Sequence, residues 1–327
     1  MPRKFAILLF VLVAVAVAGV AAATTRGPAR TTPAPPVGLY VDPYGAAPVH
    51  LRALERAGRT AEAALVRRIA VQPAATWFAD DATGYVDRAR RLVTSAAAAR
   101  RIPVLTFYFI PHRDCGRYSA GGAADGLAYR RWVGNLAGAL RGHRAIVILE
   151  PDAVAHAVRG CLNRVRAAER FALLASAVET LRSVPGVTVY LDAGNPTWLT
   201  PAEVVPALRR AGITRSHGFA LNVANFETTA ANLAYGIQLS RPLGGARFVV
   251  DTSRNGTGPA RPGAGSRHWC NPPGRKLGTA PTLHTGHPLV AGYLWVKRPG
   301  ESDGACSPGA PPAGRWFHRY ALDLARQ

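Results

Sequence analysis

The sequence predicts an α/β fold: a closed or nearly closed barrel of parallel strands with helices outside. Three observations predict it. Short apolar runs alternate with Ala/Leu/Arg-rich stretches over about 270 residues. The runs are continuously apolar rather than alternating, as in strands covered on both faces. Most of them end on an acid or an amide. In such barrels the side chains at the C-terminal strand ends share one mouth.

The elements follow in order. GLYVDP (38–43) reads as a short strand ending on Asp42. The helical stretch LVRRIA leads to ATWFAD (75–80), which ends on Asp80. GYVDRARRLVTSAAAARR has apolar residues near the 3.6 spacing of a helix, and IPVLTFYFIPHRD (102–114) after it ends on Asp114. AYRRWVGNLAGALRG is the next helix. It precedes AIVILEPD (145–152), an apolar strand running into Glu150, Pro151 and Asp152. AAERFALLASAVETLRS precedes VTVYLDAG (187–194), which carries Asp192. PAEVVPALRRAG precedes GFALNVANF (218–226), which carries Asn222 and Asn225. ARFVVDTSRNG (246–256) brings Asp251, and AGYLWVKRPGESDG (291–304) ends on Glu301 and Asp303. A lone acid after a strand is an ordinary cap or loop residue. Acids after most strands imply a cluster of carboxylates in one cleft.

The chain opens MPRKFAILLFVLVAVAVAGVAAATT, a basic start, an apolar run and small residues. Residues 1–23 therefore read as a secretory signal peptide. The run is slightly long for that role, so a retained N-terminal anchor is the alternative. Residues 24–37, TTRGPARTTPAPPV, read as a Pro/Thr-rich linker, leaving 38–327 as the folded domain. The four cysteines have no C-x-x-C spacing. In an exported chain they imply two disulfides. Three pairings are open; the nearest-neighbour one, Cys115–Cys161 and Cys270–Cys306, is preferred because each bond would tie loops after separate strands.

A formal net charge of +21 predicts attraction to anionic surfaces such as cell-wall polymers. The charge is almost all Arg, scattered over the helical stretches rather than gathered in a basic run with aromatics. No nucleic-acid partner is expected. No G-x-G-x-x-G follows a strand and no P-loop is present, so no nucleotide is expected. His284 and His287 lack a third ligand nearby in sequence, so no metal or other cofactor is expected. Gly300–Gly304 spells G-x-S-x-G, yet DGACSPGAPPAG cannot supply the helix a nucleophile elbow needs. Carboxylates remain, with Trp77, Trp198 and Trp269 at or just after strand ends; Trp132 and Trp295 read as core. Aromatic faces stack on sugar rings, and glycosidic cleavage uses a pair of carboxyl groups.

The segments YFIPHRDCGRYSAGG (108–122), ILEPDAVA (148–155), YLDAGNPTWL (190–199), GFALNVANF, VVDTSRNG (249–256), WCNPPGRKLG (269–278) and YLWVKRPGESDG (293–304) carry a resemblance. In this order, from about Tyr40 to the C-terminus, they resemble glycoside hydrolase family 6, the inverting cellulases. The resemblance implies a distorted TIM-like (β/α) barrel with its groove at the C-terminal strand ends. It also implies a β-1,4-glucan substrate, no cofactor and a monomer. Asp152 matches the catalytic acid and Asp114 an aspartate that helps hold its proton. Asp303 matches the base, acting directly or through a water chain; Asp192 matches an electrostatic site residue and Tyr108 a tyrosine beside the distorted sugar. Trp77, Trp198 and Trp269 match stacking platforms. Ser119, Asn195, Asn225, Lys297 and Glu301 match polar substrate contacts. The family also supports the nearest-neighbour disulfide pairing.

Two readings of residues accompany the resemblance. Glu150, two residues from Asp152, is expected to help raise the acid's pKa by like charge. Two of the three lysines, Lys276 and Lys297, fall inside the motifs of an Arg-rich chain, as a compact point charge would require. The chain departs from the family at Asn195, where His is usual, and at Phe109 and Ala291-Gly292. The loops 255–269 and 304–316 are short, which implies an open groove and internal cleavage. A glycan-binding wall protein with a weakened site is the alternative, drawn from Asn195 and the positive charge.

Overall fold

A computed structural model of the chain describes residues 1–2, 38–260 and 268–326. The signal peptide and linker read at 1–23 and 24–37 lie outside the described residues, apart from the first two. Seven strands form one parallel sheet in chain order: β1 Thr76–Phe78, β2 Val104–Phe107, β3 Ala145–Leu149, β4 Val187–Asp192, β5 Gly218–Leu221, β6 Arg247–Asp251 and β7 Val290–Leu294. Between them run α3 (Tyr85–Ala98), α4 (Gly126–Leu140), α5 (Ala153–Val158), α6 (Arg164–Arg182), α7 (Pro201–Arg210) and α8 (Thr229–Ser240). Two helices, α1 (Ala46–Arg56) and α2 (Thr60–Ala70), precede the sheet, and α9 (His318–Ala325) follows it.

The sheet curls until its first and last strands nearly meet. The Ala75 N–H donates to the Trp295 carbonyl at 2.9 Å, and the Trp77 indole N–H to the Val296 carbonyl at 2.8 Å. These bonds mark the seam. Ile69 of α2 and Ala321 and Ala325 of α9 pack on Trp295 beside it. The expected first strand at 38–43 shrinks to one bridge, Leu39 beside Ile102. The reason is local: the Asp42 carboxylate and carbonyl accept the N–H groups of Tyr44 and Gly45, turning the chain into α1 before a strand can extend.

Both faces of the strands are covered, which accounts for their continuous apolar runs. On β3, Val147 and Leu149 pack outward among Leu136, Leu140 and Leu174 of the helices. Ile146 and Ile148 point inward and fill the barrel with Val104, Tyr190, Val249 and Leu294. Trp132 and Trp295 are both buried, as read.

Parallel topology sends every β→α connection to one end of the barrel and every α→β connection to the other. The acids of the sequence gather at the first end, the mouth. The opposite end collects arginines. Arg100 and Arg101 lead into β2, and Arg141 and Arg144 into β3. Arg182 ends α6. Arg209, Arg210 and Arg215 precede β5, and Arg241 and Arg247 flank the turn into β6. All are exposed. Scattered in sequence, they share one end in space, at helix C-termini where the backbone dipole favours cations.

Candidate active site

The site begins where β3 stops. Glu150 and Asp152 both take left-handed backbone conformations, φ 49° and 68°, with Pro151 between them. Such turns cost about 1–3 kcal/mol each in residues with a Cβ. Hydrogen bonds hold them in place. The Glu150 carboxylate accepts the Phe109 N–H at 3.0 Å and the Ile110 N–H at 3.1 Å, so it anchors the chain leaving β2. Burial pushes its pKa to about 7 against the pull of those N–H groups. Glu150 thus turns away from the mouth. The expected like-charge effect of Glu150 on Asp152 is corrected: burial first, then Asp192 and Asp114, raise the Asp152 pKa well above the usual carboxylate range.

Asp152 sits at the N-cap of α5 with its side chain free of capping duty. Its N–H donates to Asp192 Oδ2 at 2.9 Å, and the Gly194 N–H reaches the same oxygen at 3.2 Å. The Tyr108 hydroxyl lies 3.5 Å from Asp152 Oδ2. Burial raises the Asp192 pKa as well, but two backbone donors favour its anion. Asp152 accepts no backbone donor, so of this tightly coupled pair it is the one that takes the proton. Asp114 follows β2 in a short 3₁₀ turn, with φ 53°. Burial raises its pKa, opposed by the Ser119 N–H and by Arg117 and Arg113. The Ser119 N–H donates to Asp114 Oδ2 at 2.8 Å.

The carboxylate across the groove behaves oppositely. Asp303 is gripped by Arg254 at 2.7 Å and Lys297 at 3.0 Å, and accepts the Asn271 N–H at 3.0 Å. Burial would raise its pKa, but the two cations outweigh it and hold the carboxyl below the usual range. One end of the groove therefore favours a protonated acid and the other a fixed anion. Ser302, the central residue of the G-x-S-x-G sequence, is fully buried, and its hydroxyl meets Asn271 Nδ2 and Gly304. His318 pairs with Glu62 instead. No nucleophile elbow forms.

An open groove of about 920 Å³ joins these groups. Trp77, Trp198 and Trp269 line it, as do Tyr108, Asp114, Ser119, Asp152, Asn225, Lys297, Glu301 and Asp303. Trp77 meets the Tyr108 ring edge-on at 5.4 Å. Gly194, at φ 75°, leaves room for Trp198; a Cβ there would sit 3.1 Å from the indole. Glu301 is buried and paired with Arg298 at 2.8 Å. Asp192 stands behind Asp152 rather than on the groove surface, with 1 % of its area exposed. Asn195 does not line the groove: it is equally buried, its Oδ1 accepting the Thr197 N–H at 3.0 Å.

Sequence reasoning missed several partners. Arg254, fully buried, lies over the Phe226 ring at 4.3 Å while pairing with Asp303. It sits in VVDTSRNG, so the motif carried the signal. Arg113 lies over the Tyr108 ring at 4.7 Å and holds the carbonyls of Ala79 and Ser119. Tyr118 packs against Trp269 with ring centroids 5.7 Å apart. Asp251 and Asn222, two of the strand-end polar residues, face inward as loop staples: Asp251 accepts the N–H groups of Ala224, Ser253, Val296 and Lys297.

Donor atoms of Asp114, Asp152 and His156 lie within 4.8 Å of one another, the geometry a metal ion would need. Arg117 acts on all three, which opposes a second cation there. The disulfides are Cys115–Cys161 and Cys270–Cys306, as preferred from the sequence. The first ties the Asp114 turn to the segment after α5. The second ties the Trp269 loop to the Asp303 loop. Loops of this size contribute about 4 kcal/mol each in the chain-entropy account.

A parallel barrel whose mouth sets a protonated carboxyl against an ionised one, along an aromatic-lined groove, defines a glycoside hydrolase of the two-carboxylate kind. Residues 35–327 match the family model Glycosyl hydrolases family 6, and the chain belongs to that family. It is 40% identical over 333 residues to Endoglucanase 1 of Streptomyces halstedii, covering 99% of each. It is 41% identical over 296 residues to Endoglucanase A of Cellulomonas fimi, covering 90% of this chain and 62% of that protein. Among solved structures, an endoglucanase from Mycobacterium tuberculosis in complex with methyl-cellobiosyl-4-deoxy-4-thio-β-D-cellobioside superposes with a TM-score of 0.83 at 42% identity. The match covers 89% of this chain and 97% of that one.

Proposed function

We propose that this chain is an exported, inverting endo-β-1,4-glucanase acting as a monomer on cellulose or a related β-glucan. Residues 1–23 serve as its signal peptide and 24–37 as its linker. The observation that carries the reading is the opposition across the groove, Asp152 held protonated and Asp303 held ionised. Asp152 donates its proton to the leaving glycosidic oxygen as the bond to the anomeric carbon breaks. Water attacks that carbon from the other face and gives up a proton. Both oxygens of Asp303 are occupied by cations, so it is a poor proton acceptor. It instead fixes Arg254 and Lys297 in place, with Lys297 at the groove wall. Asp114, whose pKa is raised, takes the proton through intervening water and returns it toward Asp152. Asp192 keeps the acid's proton affinity high. Tyr108, with Trp77 against its ring, holds the sugar being distorted.

Endo action is supported by the openness of the groove and by the names of the relatives matched over most of their length. Among the described residues no helix is long and apolar enough to cross a membrane. The glycan-binding alternative drew on Asn195 and the positive charge; Asn195 is buried and does not line the groove, and the opposed states of Asp152 and Asp303 favour catalysis over binding alone. The test is viscometry of hydroxyethylcellulose alongside reducing-end release. An endo-acting enzyme collapses viscosity while few ends have appeared. Parallel slow changes in both, or no release at all, would overturn the reading.

A further inference from the structure

The end of the barrel opposite the groove carries a charge pattern that hydrolysis does not use. Five successive α→β connections present the ten exposed arginines placed there by the fold. Neighbouring connections touch: Arg182 Nε–H donates to the Arg215 carbonyl at 3.0 Å, and Arg209 to the Pro242 carbonyl at 2.6 Å. These bonds commit Arg182 and Arg209 to the scaffold, and the other guanidinium groups stand beside them at the same end of the barrel. Among the described residues, Glu179 is the one carboxylate on these connections and the helical turns that feed them, and it is spent on Arg215 at 3.1 Å. None of the exposed large apolar side chains lies on these connections.

We infer that this face binds carboxylate-bearing polysaccharide, a polyuronate, and holds the enzyme on an acidic matrix with its groove turned outward. Guanidinium forks pair two-pronged with carboxylates. A polyuronate carries one carboxylate per sugar along an extended chain, so such a face can engage several at once. Each exposed pair is weak, and together they give avidity. The chemistry of the face disfavours other polyanions. None of the exposed large apolar side chains lies on it to enter a bilayer, and its imidazole rings, His143 and His217, are tied to backbone groups rather than free to stack on bases.

The test uses the full chain and polygalacturonate, with binding measured by calorimetry at low and raised salt. Binding is expected at low salt and weakens as salt rises. The combined variant Arg100→Gln, Arg144→Gln, Arg241→Gln, Arg247→Gln should lose affinity about tenfold or more, with neutral hydroxyethylcellulose hydrolysed at the parent rate. Hydrogen exchange on the unaltered chain gives a reading that no folding defect can mimic. The polymer should protect amides at 99–103, 141–144 and 241–247. Protection of the groove loops instead, unchanged affinity in the variant, or capture by anionic vesicles or duplex DNA without capture by polygalacturonate would overturn the inference.

Discussion

The mouth and the base of this barrel are built from the same repeating strand and helix, yet they use charge in opposite ways. At the mouth, carboxylates are buried and each meets a particular environment. Asp303 has two cations, Asp192 two backbone donors, and Asp152 little besides other acids. At the base, arginines stand in water on helix ends. A buried charge is sensitive to its neighbours, so one residue can set a protonation state. Exposed charges are individually replaceable and act by number. The comparison teaches where single substitutions should matter and where they should not.

The largest effect should come from removing the proton donor. Asp152→Ala should lower kcat by about 10³ while cello-oligosaccharide binding persists, checked by steady-state kinetics and calorimetry. Next is the ion-paired acid. Asp303→Ala leaves Arg254 and Lys297 buried without their shared anion and should cost about 3 kcal/mol of stability, read from denaturant unfolding.

Glu150 sharpens the point because its buried carboxyl has a folded-state pKa of about 7, above its unfolded value of 4.5. Between those values the folded chain holds a proton that the unfolded chain releases, so stability should fall as pH rises through this window. The drop amounts to about 3 kcal/mol from this group. Glu150→Gln should flatten that slope, as followed by unfolding at pH 5 and pH 8. A smaller change concerns Asp192. Asp192→Asn removes a negative charge beside Asp152 and lowers the acid's pKa, so the alkaline limb of the rate profile should move to lower pH. The smallest effect belongs to the base: single Arg→Gln changes there should alter stability by less than about 0.5 kcal/mol and leave kcat unchanged.

Much of this was legible in the sequence. The alternation of runs predicted the barrel, and the strand-end acids predicted the mouth. The motifs separated Asp152 and Asp303 from the rest. What stayed hidden was direction. Glu150 and Asp152 are two residues apart, and two left-handed backbone turns send one to the loop behind and the other to the groove. Asn195 sits in a motif with Trp198 yet faces Thr197, because a side-chain acceptor two residues before an N–H closes its own turn. The first strand failed where Asp42 captured the N–H of Tyr44. The arginines read as scattered because sequence distance hides that helix ends meet at one face. Arg254 could have been found, as an arginine in a motif otherwise made of small and polar residues.

The central claim is that the groove delivers a proton from one carboxyl and admits water on the opposite face of the sugar. Proton NMR of cellopentaose hydrolysis, recorded before the anomers equilibrate, tests it most directly. The new reducing end should appear first as the α-anomer. A first-formed β-anomer would mean retention through a covalent intermediate, and would contradict the account.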